Sequence, residues 1–233
     1  FTLALSLPQP NVGWLRELSV GLASMAARCA IRLAGGDTTA GPLNIGITVL
    51  GHVPSGQALK RSGAQVGDGV FVSGALGAAA AALRLFSAQP PLLSTETVQA
   101  LEQAYWAPQP QLELGRWLLG KATSALDISD GLLADAGHIA QESNVLLTLE
   151  QSKIPIASAA QGCDPLHALN WALSGGDDYQ LLFTMPLELQ PALQALFPAA
   201  QCIGVVREGC GVQLLDEHFK PVNYSRAGYQ HFG

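Results

Sequence analysis

Charge is scarce in this sequence. Asp, Glu, Lys and Arg make up only 13% of 233 residues, and basic residues are the scarcer kind, 12 against 18 acidic ones. A formal net charge of −6 argues against a nucleic-acid partner, because phosphate backbones select basic surfaces. It does not exclude phosphate ligands, which carboxylates can hold through metal ions. Cysteine is also thin: Cys29, Cys163, Cys202 and Cys210 form no Cys-x-x-Cys pair and have no His cluster beside them. That leaves no zinc or disulfide framework and points to reduced thiols in a cytoplasmic protein. No apolar run approaches the roughly 18 residues of a membrane span, so no membrane partner is expected. The opening FTLALSLPQP has neither an initiator Met nor the basic start of a signal peptide. It reads as the inside of a strand, and the expectation is that the true amino terminus is missing. What the chain has in quantity is apolar surface, 48% of residues, enough for a sizeable core.

Periodicity divides that surface into elements. Phe1 to Leu7 alternates and stops at Pro8, as a strand does. Asn11 can cap a helix whose stripe is Leu15, Leu18, Leu22, Met25 and Cys29. Gly35 to Thr39 reads as a loop, and Leu43 to Val53 as β-like. Residues 1–53 are too few to bury both faces of a sheet, so they need a partner, and the strand 1–7 is expected at an exposed sheet edge. The turn-rich stretch 54–67 marks a domain boundary, giving domains at 1–53 and 54–233. Beyond it, strands are expected at 69–73, 124–128 and 181–185, helices to about 86 and at 95–105, 112–119, 131–142 and 188–196, and a final hairpin from 203–206 and 211–215. Strands and helices alternate irregularly, so the fold class is α+β with mixed sheets.

Four segments place acidic or small residues inside apolar surroundings. In Gly35-Gly36-Asp37-Thr38-Thr39, the glycines admit a close ligand, and Asp37 with Thr38 offers oxygens suited to a hard cation. A plain turn explains the same residues. In Asp127-Ile128-Ser129-Asp130-Gly131, a helix cap accounts for Ser129 or Asp130 but not for both carboxylates and the serine. Carboxylates crowded at a helix start repel one another unless a cation lies among them, which favours a metal and phosphate site. Ser174-Gly175-Gly176-Asp177-Asp178-Tyr179 is either a ligand loop or a solvated turn before the strand 181–185. Ser73 to Gly77 could offer helix-start amides to an anion, but it lacks the Gly-Lys-Ser/Thr of a phosphate loop, and helix packing explains its glycines. His138 reads as a surface or core residue of its helix, not a ligand.

Together these segments are far more specific than any one. GGDTTAGPL at 35–43, ALKRSGAQVGD at 58–68, ALDISDGLLADAGHI at 125–139, WALSGGDDYQLLFT at 171–184 and the closing GYQHF at 228–232 resemble thiamine-monophosphate kinases, in that family's order and over essentially the whole chain. The resemblance implies a two-domain aminoimidazole-ribonucleotide synthetase-like fold with its first domain incomplete. In that fold an amino-terminal domain dimerises and binds ATP and metal, and a carboxy-terminal α/β domain closes over the nucleotide. It implies transfer of a phosphoryl group from ATP to thiamine phosphate, with Mg2+, in a homodimer. Carried over by motif, Asp37, Asp127 and Asp130 would be Mg2+ ligands. Gly36, Asp37, Arg61 and Ser129 would contact ATP, and Asp177 and Tyr229 would contact thiamine phosphate.

The sequence departs from the family pattern in places. Asp177 stands where Glu is usual, Ala40 where Arg often follows GGDTT, and Ala107-Pro108-Gln109-Pro110-Gln111 lacks the usual flanking Arg residues. The family also carries an upstream Gly-Asp-Asp motif and further metal-binding aspartates. On their absence the given chain is expected to be inactive or nearly so. Two other readings remain open at this level: an ATP-dependent synthetase of the same superfamily acting on another substrate, and a non-catalytic remnant that dimerises or binds nucleotide.

Overall fold

A computed structural model describes residues 1–224, which divide into two compact units at Gly56/Gln57. The first unit contains β1 (Thr2–Leu7), α1 (Val12–Arg28), β2 (Gly35–Ala40) and β3 (Asn44–Thr48). Asn11 caps α1 as expected: its Oδ1 accepts the Trp14 N–H at 3.1 Å. The sheet order is β2-β1-β3, with β1 parallel to β2 and antiparallel to β3. Two expectations change here. β1 is the central strand, not an edge, because the chain returns to it on both sides. The Gly35–Thr39 segment is not a loop but part of β2, with Gly36 opposite Leu3 and Asp37 opposite Ala4. Pairing along the whole of β1 outweighs the weak strand preference of its glycines. Gly36 has a steric reason as well, since a Cβ there would run into the Leu3 carbonyl. Every residue of β2 is exposed, no residue of α1 is buried, and Leu43, Ile45, Ile47, Val49 and Leu50 are exposed apolar side chains.

The second unit is built on one sheet of the strands β4 (Gly69–Val72), β5 (Ser124–Asp127), β6 (Leu146–Glu150), β7 (Leu181–Met185), β8 (Gln201–Arg207), β9 (Gly211–Leu215) and β10 (Pro221–Val222). Its helices are α2 (Ala78–Ala82), α3 (Thr95–Trp106), α4 (Leu112–Leu118), α5 (Leu132–Ser143), α6 (Ser158–Cys163), α7 (Ala168–Ser174) and α8 (Gln190–Leu196). The strand order is β10-β9-β6-β8-β4-β7-β5. All pairings are antiparallel except β6 with β9. The expected final hairpin is therefore absent: β6 lies between β8 and β9, and its apolar run 145–149 takes the central place between them.

Both faces of this sheet are covered, and the alternation within β4 shows how. Val70 and Val72 face the larger core with Leu126, Ile128, Leu182 and the α5 residues Leu132, Ala136 and Ile139. Phe71 faces the other way, stacked on Phe183 at 5.5 Å between ring centres, and packs with Leu114 and Leu118 of α4 and Leu193 of α8. A third cluster joins the alanines of α2 to Leu101 of α3, Ala160 of α6 and Ala168 of α7. The side of the molecule that holds the acidic loops is thus backed by α2, α5 and α7.

Candidate active site

Asp127 ends β5, and four residues carry the chain into α5. The cap of that helix is not the one expected from Ser129 or Asp130. Asp135, 2% exposed and one turn into the helix, reaches back. Its Oδ2 accepts the backbone N–H groups of Ser129 (3.0 Å), Asp130 (3.0 Å) and Gly131 (3.1 Å). Burial raises the Asp135 carboxyl above its ordinary range, while these amides work the other way. The consequence is a division of labour. The loop's amides are spent on a protein carboxylate, and its side chains Asp127, Ser129 and Asp130 are left to face outward, Asp127 fully and the other two partly.

The second acidic segment is joined to the first by its backbone. Asp177 N–H donates to the Ser129 carbonyl (3.0 Å), Tyr179 N–H to that of Ile128 (2.9 Å), and Ile128 N–H to that of Gln180 (2.7 Å). The approach is close enough that glycine is needed on both sides. A Cβ on Gly131 would lie 2.8 Å from the Ser174 backbone, and one on Gly176 would strike the Ser129 carbonyl. Asp178 turns away from Asp177. Its carboxylate accepts Gly77 N–H at 2.8 Å and Ala79 N–H at 3.4 Å, at the start of α2. Burial pushes its pKa up to about 6, against the lowering effect of the amides it accepts. These are the helix-start amides that an external anion would have used at Ser73–Gly77, so the packing explanation of that segment holds. Ser73 adds a further tie, accepting Leu181 N–H (2.8 Å) and donating to Gln180 Oε1 (2.6 Å).

Asp127, Ser129, Asp130 and Asp177 are therefore brought together, on two loops about fifty residues apart in sequence. Tyr179 marks their proximity: its hydroxyl donates to Asp177 Oδ1 at 3.0 Å. Burial, that hydrogen bond, and the charges of Asp177, Asp127 and Asp130 together raise its pKa, so it stays a proton donor. Among the described residues no Lys or Arg forms an ion pair with any of these carboxylates. Several oxygen donors with no basic partner suit a hard divalent cation, and Asp127 and Asp130 fit that role. His138 on α5 is half-buried, and its ring lies within 4.8 Å of carboxylate oxygens of Asp130 and Asp135.

The other expected residues belong to other segments of the chain. Gly36 and Asp37 belong to the first unit, where Asp37 Oδ1 accepts the N–H of Thr38 at 2.8 Å. Arg61 is exposed, and its segment is anchored to the β5–α5 pair. Ser143, at the end of α5, donates to the Arg61 carbonyl and accepts from Gly63 and Ala64, while Ala125 N–H donates to the carbonyl of Lys60. The segment is thus held both at the end of α5 and beside Ala125, two residues before Asp127. Asp68, the last residue of that motif, is structural: it is buried and accepts Gln65 N–H and Thr123 Oγ1–H. Tyr229 lies outside the described residues. Sequence reasoning missed Asp135 and Asp178 as anchors and Tyr179 as a neighbour of Asp177. For Asp135 a signal existed, a lone carboxylate within the apolar stripe of α5.

Comparison with known proteins identifies the family and the fold. The model of the AIR synthase related protein, N-terminal domain, matches residues 1–53. The thiamine-monophosphate kinase of Escherichia coli (strain K12) is 36% identical over 236 residues, covering 99% of this chain and 73% of its own. The crystal structure of thiamine-monophosphate kinase from Stenotrophomonas maltophilia K279a superposes with a TM-score of 0.86 at 40% identity, over 91% of this chain and 70% of that one. A second solved structure, AaThiL complexed with AMPPCP and TMP, matches at TM-score 0.81 and 28% identity, over 99% of this chain and 72% of its own. The α+β architecture is thus that of AIR synthase-like proteins, and the chain belongs to the thiamine-monophosphate kinase family.

Proposed function

We propose that this protein phosphorylates thiamine phosphate with ATP, giving thiamine diphosphate and ADP by direct in-line transfer. Family membership supports the reaction, and a relative has been captured with an ATP analogue and TMP. The observation that carries the site assignment is the joining of loops 127–131 and 175–180, which gathers Asp127, Asp130 and Asp177 with no basic partner among the described residues.

In this reading Asp127 and Asp130, with Asp37 of the first unit, hold Mg2+. The bound cations neutralise charge between two polyanionic substrates. Asp135 keeps the loop at 128–131 in place, Ser129 presents its hydroxyl to the nucleotide, and Asp177 takes the acceptor. A phosphate monoester is already largely ionised near pH 7, so positioning and electrostatics suffice without a general base. Gly36, Asp37 and Arg61 on ATP, and Tyr229 on the acceptor, rest on motif resemblance. Residues 1–53 serve as the dimerisation and ATP/Mg-binding domain, and the remainder as the α/β domain. The exposed apolar residues 43–50 support a homodimer. Among the described residues no helix is long and apolar enough to cross a membrane; the cytoplasmic location rests on reading the four cysteines as reduced thiols.

The test is the full-length gene product supplied with ATP, Mg2+ and thiamine phosphate. Thiamine diphosphate should form in equal amount with ADP, and omission of Mg2+ should abolish it. Nucleotide turnover with no thiamine diphosphate, or with AMP as product, would overturn the reading.

A further inference from the structure

The segment Gly176-Asp177-Asp178-Tyr179 contains a concentration of unusual backbone. Gly176 has φ +73°, and two non-glycine residues share the left-handed region, Asp177 at +59° and Tyr179 at +50°. A bulky residue with positive φ is an outlier that persists only where its surroundings over-determine it. Here they do: the N–H groups of both residues are fixed to the carbonyls of Ser129 and Ile128. Asp178, between them, is tied to α2. The result of this conformation is visible at the surface. Tyr179 remains 41% exposed, and its ring is not among the residues of the hydrophobic core clusters. Its one polar atom is spent on Asp177 Oδ1, at 3.0 Å. An exposed tyrosine held in an unfavourable backbone conformation, with its hydroxyl on an exposed carboxylate, has no packing explanation among the described residues.

We propose that Tyr179 is a positioning residue for Asp177: its hydroxyl fixes one carboxylate oxygen so that the other meets the cationic or N–H-bearing organic part of thiamine phosphate. This rests on the reading of Asp177 as an acceptor-site residue. The choice of the organic end follows from charge. Asp177 is not among the carboxylates assigned to Mg2+, so its own charge repels a phosphate and attracts a cationic ring or an amino group. Tyr179 supplies direction and a fixed rotamer, and the carboxylate supplies the contact. The conformational freedom it removes would otherwise be lost on binding.

The experiment uses the full-length protein and the variants Tyr179→Phe, Asp177→Asn and the double variant. Tyr179→Phe deletes one exposed hydroxyl and leaves the ring. It should raise KM for thiamine phosphate about three- to tenfold, as expected for one solvent-exposed hydrogen bond, and leave kcat and KM for ATP within about twofold. Competitive inhibition by unphosphorylated thiamine should weaken by the same factor. In the double variant the loss should equal that of Asp177→Asn alone, because the hydroxyl acts only through the carboxylate. If Asp177→Asn raises KM for thiamine phosphate and Tyr179→Phe does not, the positioning role is wrong and the acceptor-site reading stands. If Asp177→Asn leaves that KM unchanged, the acceptor-site reading fails first. Additive losses, or an equal rise in KM for ATP, would show a general support of the loop and overturn the proposal. Unchanged inhibition by thiamine alongside a raised KM for thiamine phosphate would place the contact at the phosphate and overturn the stated end.

Discussion

The two units hold their acidic motifs in different ways. In the first, Asp37 lies on β2, a strand whose every residue is exposed, and its position is set by the ladder with β1. In the second, Asp127 ends β5 while Asp130 and Asp177 lie on loops, which are ordinarily the less rigid choice. Those loops are held by two other carboxylates, Asp135 and Asp178, which accept backbone amides. Acidic residues in one short motif thus have opposite duties, and only burial and hydrogen bonding separate them. Asp177 and Asp178 are the clearest case, adjacent in sequence, one exposed and one capping a helix.

The largest expected effect is at Asp135. Asp135→Ala leaves three buried or part-buried amides without their acceptor. An unsatisfied buried group costs about 1–3 kcal/mol, and some of these amides will find water, so a loss of about 4 kcal/mol is expected. Chemical denaturation should show it, and affinity for a non-hydrolysable ATP analogue with Mg2+ should fall about a hundredfold or more as the loop loosens. Asp135→Asn keeps an oxygen for the same amides and should recover most of both. Equal damage by Asn and Ala would mean that the charge, and not the acceptor, is what the loop requires.

Asp178 comes next and concerns pH. Its pKa is pushed up to about 6 in the folded protein, against an ordinary value of 3.8, chiefly by burial. A raised carboxyl pKa means that the folded state holds the proton more tightly than the unfolded one. Its contribution to stability is therefore fully present below about pH 4 and is lost as pH rises through about 6. The shift corresponds to about 2 kcal/mol after allowance for partial exposure. Between pH 4 and 7 the stability of the wild type should fall by about that amount relative to Asp178→Asn, which does not titrate. Parallel stability curves for the two proteins would remove the burial argument.

Most of the second unit was legible in the sequence because its elements are amphipathic or wholly apolar. The stripe of α5 and the runs 69–72, 124–127 and 181–185 could be read directly. Several features were not, among them β6, α6 and α7, for which no element was expected. β2 contains two glycines and no large apolar residue, so only its pairing partner makes it a strand. The order of β8, β6 and β9 is non-local, and two neighbouring apolar runs look like a hairpin whether or not a third strand lies between them. At the site, Asp127 and Asp130 stood out by clustering. The function of Asp178 depends on Gly77, about a hundred residues away, and no local pattern carries that.

The smallest effect on stability, and the sharpest test of the contrast between units, is expected from removing ligand-side charge alone. Asp127→Asn keeps the shape of an exposed side chain and deletes its charge. Asp127, Asp130 and Asp177 all act on the hydroxyl of Tyr179, and none has a basic partner among the described residues. Without a cation they repel one another, so the variant should be as stable as the wild type or more so by about 0.5 kcal/mol, within the ordinary range of surface substitutions. With Mg2+ the ranking should reverse. Calorimetry should show the affinity for an ATP analogue reduced about tenfold, equivalent to about 1.4 kcal/mol of lost cation binding. Asp37→Asn should give a loss of similar sign in nucleotide affinity. Its stability should change little, because the bond Asp37 accepts from Thr38 N–H is exposed and Asn keeps an oxygen for it. The reasoning is that a ligand-side carboxylate costs the empty protein something and benefits it only when a cation binds, whereas an anchoring carboxylate contributes at all times. If Asp127→Asn destabilises the metal-free protein by as much as Asp135→Ala, Asp127 is an anchor as well, and the division of labour between exposed and buried carboxylates is not real.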